Sequence, residues 1–288
     1  MVQLSLEAVI VAVTDDRPRI LTVVHEGGPG LPAGPLADDR TLELGMRRLI
    51  DEQAALSVGY VEQLYTFGDR DRSDGSSGDR LIGVAYLVLT REGSTTGEWL
   101  DWYHLLPWED HRDGRPGVLD DVERRLGSWA GREEDRVHRI DIAFGRREQT
   151  WDGVRALERY ELMYEARLVP EWFVDHRRPV PPGLPAGAPM GLDHRRVAAV
   201  ALSRLRGKLT YRPVVFELLP ETFTLSHLQR TVEALAGQPL HTQNFRRLVE
   251  RDGLVEGIGL HVTTGGRPAE LFRFRRSVVY ERSQVGIV

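Results

Sequence analysis

An α+β fold in two parts is predicted for these 288 residues by three observations. The chain opens as strand, strand, loop, helix. Its middle adds two more strand patterns and then turns helical. Its last third reads as helix, turn, helix and hairpin.

Taking the elements in order, LSLEAVIVAVT and PRILTVVH have the β-branched, apolar character of two strands. The turn-rich GGPGLPAGPLADD follows, then a helix from Thr41 to about Leu56. YVEQLYTFG and LIGVAYLVLT predict further strands, joined by the exposed polar stretch DRDRSDGSSGD. Helical spacing then recurs over Val118–Trp129 and over Gly153–Leu168, where Val154, Leu157, Tyr160, Leu162 and Tyr164 offer apolar faces. The Pro/Gly-rich stretch 177–191 cannot continue a helix and reads as a linker. From Asp193, placed to cap it, a connecting helix runs to Tyr211 with Val197, Val200, Ala201, Leu205 and Leu209 on one side. The expected division is therefore 1–192 and 193–288.

Composition narrows the chemistry. With 41% apolar residues the chain can bury a sizeable core, and its length suits two domains. It has no cysteine, which excludes disulfides, zinc-thiolate sites and thiol catalysis. The nine histidines show no HExxH spacing, and GxSxG, P-loop and Rossmann fingerprints are missing. No apolar run reaches the roughly 20 residues needed to span a bilayer, and the first residues lack a basic n-region with a cleavage site, so a cytoplasmic protein without a membrane partner is expected. Neither a metal nor a cofactor is expected. Charge is uneven beneath a net −5: from Asp193 onward 15 Arg and Lys face 9 Asp and Glu, against 23 and 34 before it. A basic end on an acidic body fits one nucleic-acid face.

That basic end has the order of a winged helix-turn-helix. Leu225, Leu228, Val232 and Leu235 fall at helical spacing after Thr224, and Gly237 stops the helix. Thr242 is placed to cap a second helix, in which Phe245, Leu248 and Val249 face inward while Gln243, Asn244, Arg246 and Arg247 project outward near its start. The start of such a helix is where base edges are read. LVEGIGLHV and AELFRFR form the wing around TTGGRP, with Arg267 at the tip, suited to a groove or a phosphate. Thr224 and Ser226 open the first helix, where hydroxyls either anchor a phosphate or cap the helix.

Two stretches bring in a family resemblance. LPAGPLADDRTLELGMRRLIDEQAAL is similar in position and shape to a Nudix box. Gly34 is in place, but aligned on Arg48 the loop Glu has become Arg40, the Glu after the arginine is Leu49, the Glu pair is Glu52-Gln53, and the last Gly is Ala55. EQLYTFGDRDR resembles the strand that follows the box in ADP-ribose-type Nudix proteins. Farther on, DHRRV, RLRGKL, FELLP, FTLSHLQ, NFRR and GRPAELFRF stand in the order of the Nudix-related transcriptional regulators of NAD metabolism, the NrtR family. The stretch from Glu98 to Pro189 is longer than the family's compact form and resembles a long proteobacterial-type subgroup.

The resemblance implies a Nudix-like α/β/α sandwich with a mixed sheet, followed by the winged helix. It also implies a repressor of NAD synthesis or salvage genes that senses ADP-ribose or a related nucleotide and binds palindromic double-stranded DNA as a homodimer. Pyrophosphate hydrolysis on a Nudix site needs several carboxylates on one helix face to hold a divalent cation. Two of the three helix carboxylates are gone and Arg40 adds positive charge, so catalysis is not expected. The rival is a hydrolase of ADP-ribose-like nucleoside diphosphates with a C-terminal dimerisation domain, its metal held by carboxylates at Asp120–Glu123 and Glu133–Asp135. For the effector, Arg40 is placed to meet a pyrophosphate. Arg48 and Glu52 either contact phosphate or pair with each other at helical spacing. Tyr65 and Phe67 either stack on an adenine or fill the core. WYHLLPW, with His104, reads as packing.

Overall fold

A computed structural model describes residues 2–25, 28–68, 80–209, 214–263 and 268–275. The polar connection 69–79, the end of the connecting helix at Tyr211 and the wing tip with Arg267 lie outside the described residues. Strands β1 (Val2–Thr14), β2 (Arg17–His25), β3 (Gly28–Gly30), β5 (Tyr60–Phe67) and β6 (Arg80–Leu89) line up as β3-β2-β1-β6-β5, with β4 (Ala33–Pro35) paired to β1 and β7 (Glu98–Asp101) to β2. The sheet is mixed, because β1 and β6 are parallel while β1–β2 and β5–β6 are antiparallel.

Period-two alternation divides this sheet between two cores. Leu6, Ala8 and Ile10 of β1, with Val84, Tyr86 and Val88 of β6, bury against Met46, Leu49 and Ile50 of helix α1 (Leu42–Ala54). The alternate residues Val9, Val11, Ala85, Leu87 and Leu89 face the opposite way, into a larger core shared with later helices. A register shift between Gln63 and Tyr65 puts both Leu64 and Phe67 of β5 in that second core.

The second face is covered by α2 (Trp102–Leu105), α3 (Val118–Ala130), α4 (Glu134–Phe144), α5 (Ala156–Glu165), α6 (Pro170–Asp175) and α7 (His194–Leu209). The helix expected over Gly153–Leu168 begins as a 3-10 turn at Gly153–Arg155, where the Asp152 carboxylate accepts from Val154 N at 2.9 Å, and it ends at Glu165. Helix α4 has no counterpart among the sequence expectations. The Pro-rich stretch is held down rather than loose: Ala188 N donates to His104 O at 3.0 Å, and Gly191 N donates to Pro29 O at 2.9 Å. The buried Arg195 joins Ala186 O to the carboxylate of Glu171.

Helix α7 was expected to show one apolar side, yet Val197 through Leu202 are all buried. It lies between α5 and α8 (Leu225–Ala236), so it is covered on both sides. With α9 (Thr242–Arg251) and the small sheet of β8 (Thr222–Phe223), β10 (Ala269–Phe274) and β9 (Val255–Val262), α8 makes up the C-terminal unit.

One buried ionic cluster ties that unit to the rest. Glu109 is completely buried; Arg159 Nε and Nη2 donate to its two carboxylate oxygens at 2.6 and 2.8 Å, and Arg206 Nη1 donates to Oε2. Burial pushes the Glu109 carboxyl upward, but the two guanidinia outweigh it and hold it below its ordinary value. Arg206 Nε also donates to Leu235 O at 3.1 Å, and the Tyr103 hydroxyl donates to Ala234 O at 2.6 Å, so the last carbonyls of α8 are taken by the first unit. Gly237 is in the left-handed region (φ 68), and a Cβ there would come 2.3 Å from Glu109 O. Only glycine satisfies both demands. Glu109→Gln leaves two buried guanidinia short of their counter-charge and should cost about 3–5 kcal/mol in urea unfolding.

Candidate functional site

The C-terminal unit builds a presenting surface from a clamped turn. Thr224 caps α8, its hydroxyl accepting from His227 N at 3.1 Å, and Ser226 is exposed beside it. After Gly237 the chain is fixed by two α8 side chains. Glu233 Oε1 accepts from Leu240 N at 2.9 Å, and Gln229 Nε2 donates to Leu240 O at 3.1 Å and to Thr242 Oγ1 at 3.2 Å. Thr242 is therefore not the cap it was expected to be. It is the first residue of α9, its hydroxyl is taken by Gln229, and the cap position falls to His241, which makes no side-chain cap bond.

Gln243, Asn244, Arg246 and Arg247 are all exposed on α9, and among the described residues none of them makes a hydrogen bond or an ion pair. Phe245 is half-buried and Val249 buried, as expected, but Leu248 is 44% exposed. Leu248 lines an apolar cavity of about 600 Å³ between the end of α7, α8 and α9, which also contains Leu240 and Phe245 and has Asn244 on its wall. Beside it, β9 and β10 pair antiparallel with a register shift between Glu270 and Phe272, forming the expected hairpin.

The five effector candidates are not brought together. Arg40 is exposed just before α1 and pairs with no described residue. Each nitrogen of Arg48 is engaged: its Nε and Nη2 donate to Asp39, the latter at 2.8 Å, and Nη1 donates to Glu52 Oε2 at 2.8 Å. The Asp39 and Glu52 carboxylates raise the Arg48 pKa, and the same guanidinium lowers that of Asp39. Arg48 and Glu52 are thus structural partners, with Asp39 as a third member that the box pattern did not mark. Gln53, standing where the box has its second Glu, closes a clasp on β4. Its Oε1 accepts from Ala33 N at 3.1 Å and its Nε2 donates to Ala33 O at 2.9 Å. A glutamate could not make the second bond. Ala55 takes the left-handed conformation (φ 52) that the missing glycine would have adopted without strain.

Tyr65 and Phe67 lie across the sheet from α1. Phe67 is buried and Tyr65 is 56% exposed, their rings edge-on at 5.2 Å. Both line a cleft of about 220 Å³ together with Glu161 of α5 and Arg196 of α7, neither of which the sequence singled out. Arg196 Nη2 donates to Glu161 Oε2 at 2.9 Å. Most of the carboxylates at Asp120–Glu123 and Glu133–Asp135 have cationic partners: Arg115 bridges Asp120 and Glu123, Arg125 meets Asp121, and Arg136 meets Glu133, while Glu134 and Asp135 are exposed in the first turn of α4. Among the described residues no cluster of three or more His, Asp or Glu is arranged to hold a metal ion, and no helix is long and apolar enough to cross a membrane. His104 is exposed while Trp102 and Trp108 are buried, so that run is mainly packing; Tyr103 is its contact with the end of α8.

Residues 215–274 match the family described as the NrtR DNA-binding winged helix domain. The match spans the C-terminal unit from just before α8 to the end of β10. The ADPR responsive transcriptional repressor NtrR of Acinetobacter baylyi is 35% identical over 85 residues, 30% of this chain and 34% of that protein. The match thus spans about a third of that curated relative's length. Along the whole chain, the crystal structure of Shewanella oneidensis NrtR complexed with a 27mer DNA is similar in fold, with a TM-score of 0.61 and 21% identity, covering 96% of this chain and 95% of that one. A MutT/nudix family protein from Enterococcus faecalis gives a TM-score of 0.56 and 12% identity over 96% of this chain and 87% of its own. The architecture is therefore a Nudix-like domain followed by a winged helix.

Each of these two structures matches 96% of this chain, so most of the stretch from Glu98 to Pro189 lies within the matched span. Its α3 to α6 supply the helical layer that the second face of the sheet requires. Gln53→Glu loses the donation to Ala33 O and leaves that carbonyl facing a carboxylate. A destabilisation of about 1–3 kcal/mol should appear in chemical denaturation.

Proposed function

We propose that this protein is a DNA-binding transcriptional repressor of NAD synthesis or salvage genes, controlled by ADP-ribose or a related NAD-derived nucleotide through its Nudix-like domain. The observation that carries the reading is the outer face of α9. Gln243, Asn244, Arg246 and Arg247 are exposed and unpartnered there on a helix whose start is clamped by Gln229 and Glu233. Arginine forks match guanine edges and phosphate oxygens, and asparagine or glutamine can pair with adenine. Thr242, Thr224 and Ser226 lie at the same helix starts, where phosphate contacts position a protein on the duplex, and Arg267 of the wing is assigned to the flanking groove.

A homodimer on a palindromic operator follows from the size of the reading head. One winged helix reads only a few base pairs, and two heads address half-sites about 34–36 Å apart. The Acinetobacter relative, an ADPR responsive transcriptional repressor, supports the effector class. An effector that biases the relative placement of the two heads needs a coupling of only about 1–3 kcal/mol to change operator affinity by roughly 5–150-fold.

We further propose that the domain does not hydrolyse nucleotides at enzymatic rates. Gln53 is committed to Ala33, Glu52 to Arg48, and Glu43 to Arg47, so the helix face that would carry a divalent cation has its carboxylates occupied or replaced.

The purified chain should shift a palindromic fragment from its own upstream region or from an NAD-biosynthesis promoter in a salt-dependent manner. Arg246→Ala combined with Arg247→Ala should abolish the shift, and unaltered binding by that double variant would sink the α9 assignment. Incubation with ADP-ribose and magnesium should release no AMP above the uncatalysed rate; steady turnover would restore the hydrolase reading.

A further inference from the structure

Three chemistries meet in the cleft between β5, α5 and α7: an exposed aromatic face, a guanidinium and a carboxylate. Tyr65 supplies the face, with Phe67 edge-on behind it, and Arg196 reaches from the first turn of α7 to Glu161. At about 220 Å³ the cleft is smaller than the roughly 300–1,000 Å³ of sites that enclose a drug-sized ligand, so it takes one end of a larger molecule. We propose that it receives the base-and-phosphate end of a nucleoside diphosphate effector, with the ring laid on Tyr65 and the phosphate replacing Glu161 on Arg196. This rests on the regulator reading above and assigns the effector to the sheet face opposite α1.

Charge favours this face. A diphosphate carries two negative charges against the one of a carboxylate and fits the guanidinium fork with paired hydrogen bonds, so it competes with Glu161 for Arg196. Across the sheet, the loop and helix from Asp38 to Ala54 hold five carboxylates against three guanidinia. Arg48 is already occupied there on three sides by Asp39 and Glu52. A diphosphate approaching α1 would meet net negative charge, with Arg40 as its one unengaged cation.

The exchange has a route to the DNA-binding unit. Glu161 holds α5 to the first turn of α7, and the phosphate removes that tie. Ten residues farther along the same helix, about 15 Å at 1.5 Å per residue, Arg206 grips Leu235 O at the end of α8. Between them Val197 to Leu202 and Leu205 are buried, and just beyond Arg206, Lys208 pairs with Glu62 at the start of β5 at 2.6 and 2.7 Å. A helix held this way moves as a unit, so a change at Arg196 reaches the turn before α9.

Calorimetric titration of the full chain with ADP-ribose tests the assignment, with an electrophoretic shift of operator DNA run on the same preparation. Tyr65→Ala and Arg196→Gln should each weaken ADP-ribose binding about tenfold or more. Glu161→Gln, which removes this competing charge, should tighten it severalfold, an effect that merely structural damage would not give. Wild-type affinity in Tyr65→Ala and Arg196→Gln overturns the proposal. So does a tenfold loss confined to Arg40→Ala, which returns the effector to the α1 side. Should circular dichroism show Arg196→Gln unfolded, the partly exposed Tyr65 and Glu161 variants decide. Wild-type protein that shifts DNA yet binds no ADP-ribose overturns this inference alone, whereas wild-type protein that binds ADP-ribose and no DNA overturns the regulator reading.

Discussion

The arrangement of the two units depends on burying one carboxylate between two arginines. Glu109 sits at the end of a short helical run behind the sheet, Arg159 comes from α5 and Arg206 from α7, and through Arg206 and Tyr103 the cluster takes up the terminal carbonyls of α8. Full desolvation of three charges is costly, and it is tolerated here because nearly every donor and acceptor is used. A buried ionic cluster is directional where an apolar contact is not. It fixes how α8 sits on the first unit, and Gly237 allows the backbone to come that close.

Much of the fold was legible because its signals are local. Alternation in LSLEAVIVAVT and LIGVAYLVLT, the Thr224 cap and the Gly237 stop each depend on a few neighbouring residues, and the structure carries all of them. Helix α4 is not signalled at its start, where Glu133 to Asp135 form a run of charge that suits a solvated face. Ile140, Ala143 and Phe144, at helical spacing just beyond, were the available signal. Leu248 was assigned inward from spacing alone, but α9 has too little cover for three inward residues, and only Val249 is fully buried.

The functional residues divide the same way. A box that kept Gly34 and Arg48 while losing its carboxylates was readable position by position. What replaced them was not, because Asp39 with Arg48, and Gln53 with Ala33, are contacts across a turn that no motif specifies. Arg196, Glu161, Glu109 and Arg206 come together from segments 35 to 97 residues apart. Such pairs leave no mark in a single sequence beyond an arginine within an otherwise apolar helix, which RLRGKL does display.

The side chains of α9 proposed to address DNA take no part in holding the protein together. Gln243, Arg246 and Arg247 bury nothing and bond to nothing among the described residues, while the turn before them is secured by Gln229 and Glu233 of the preceding helix. Folding and the proposed reading thus fall to different side chains. Lineages carrying this scaffold are free to exchange those outward positions and follow drifting operators, or acquire new ones, without first gaining stability to survive the change.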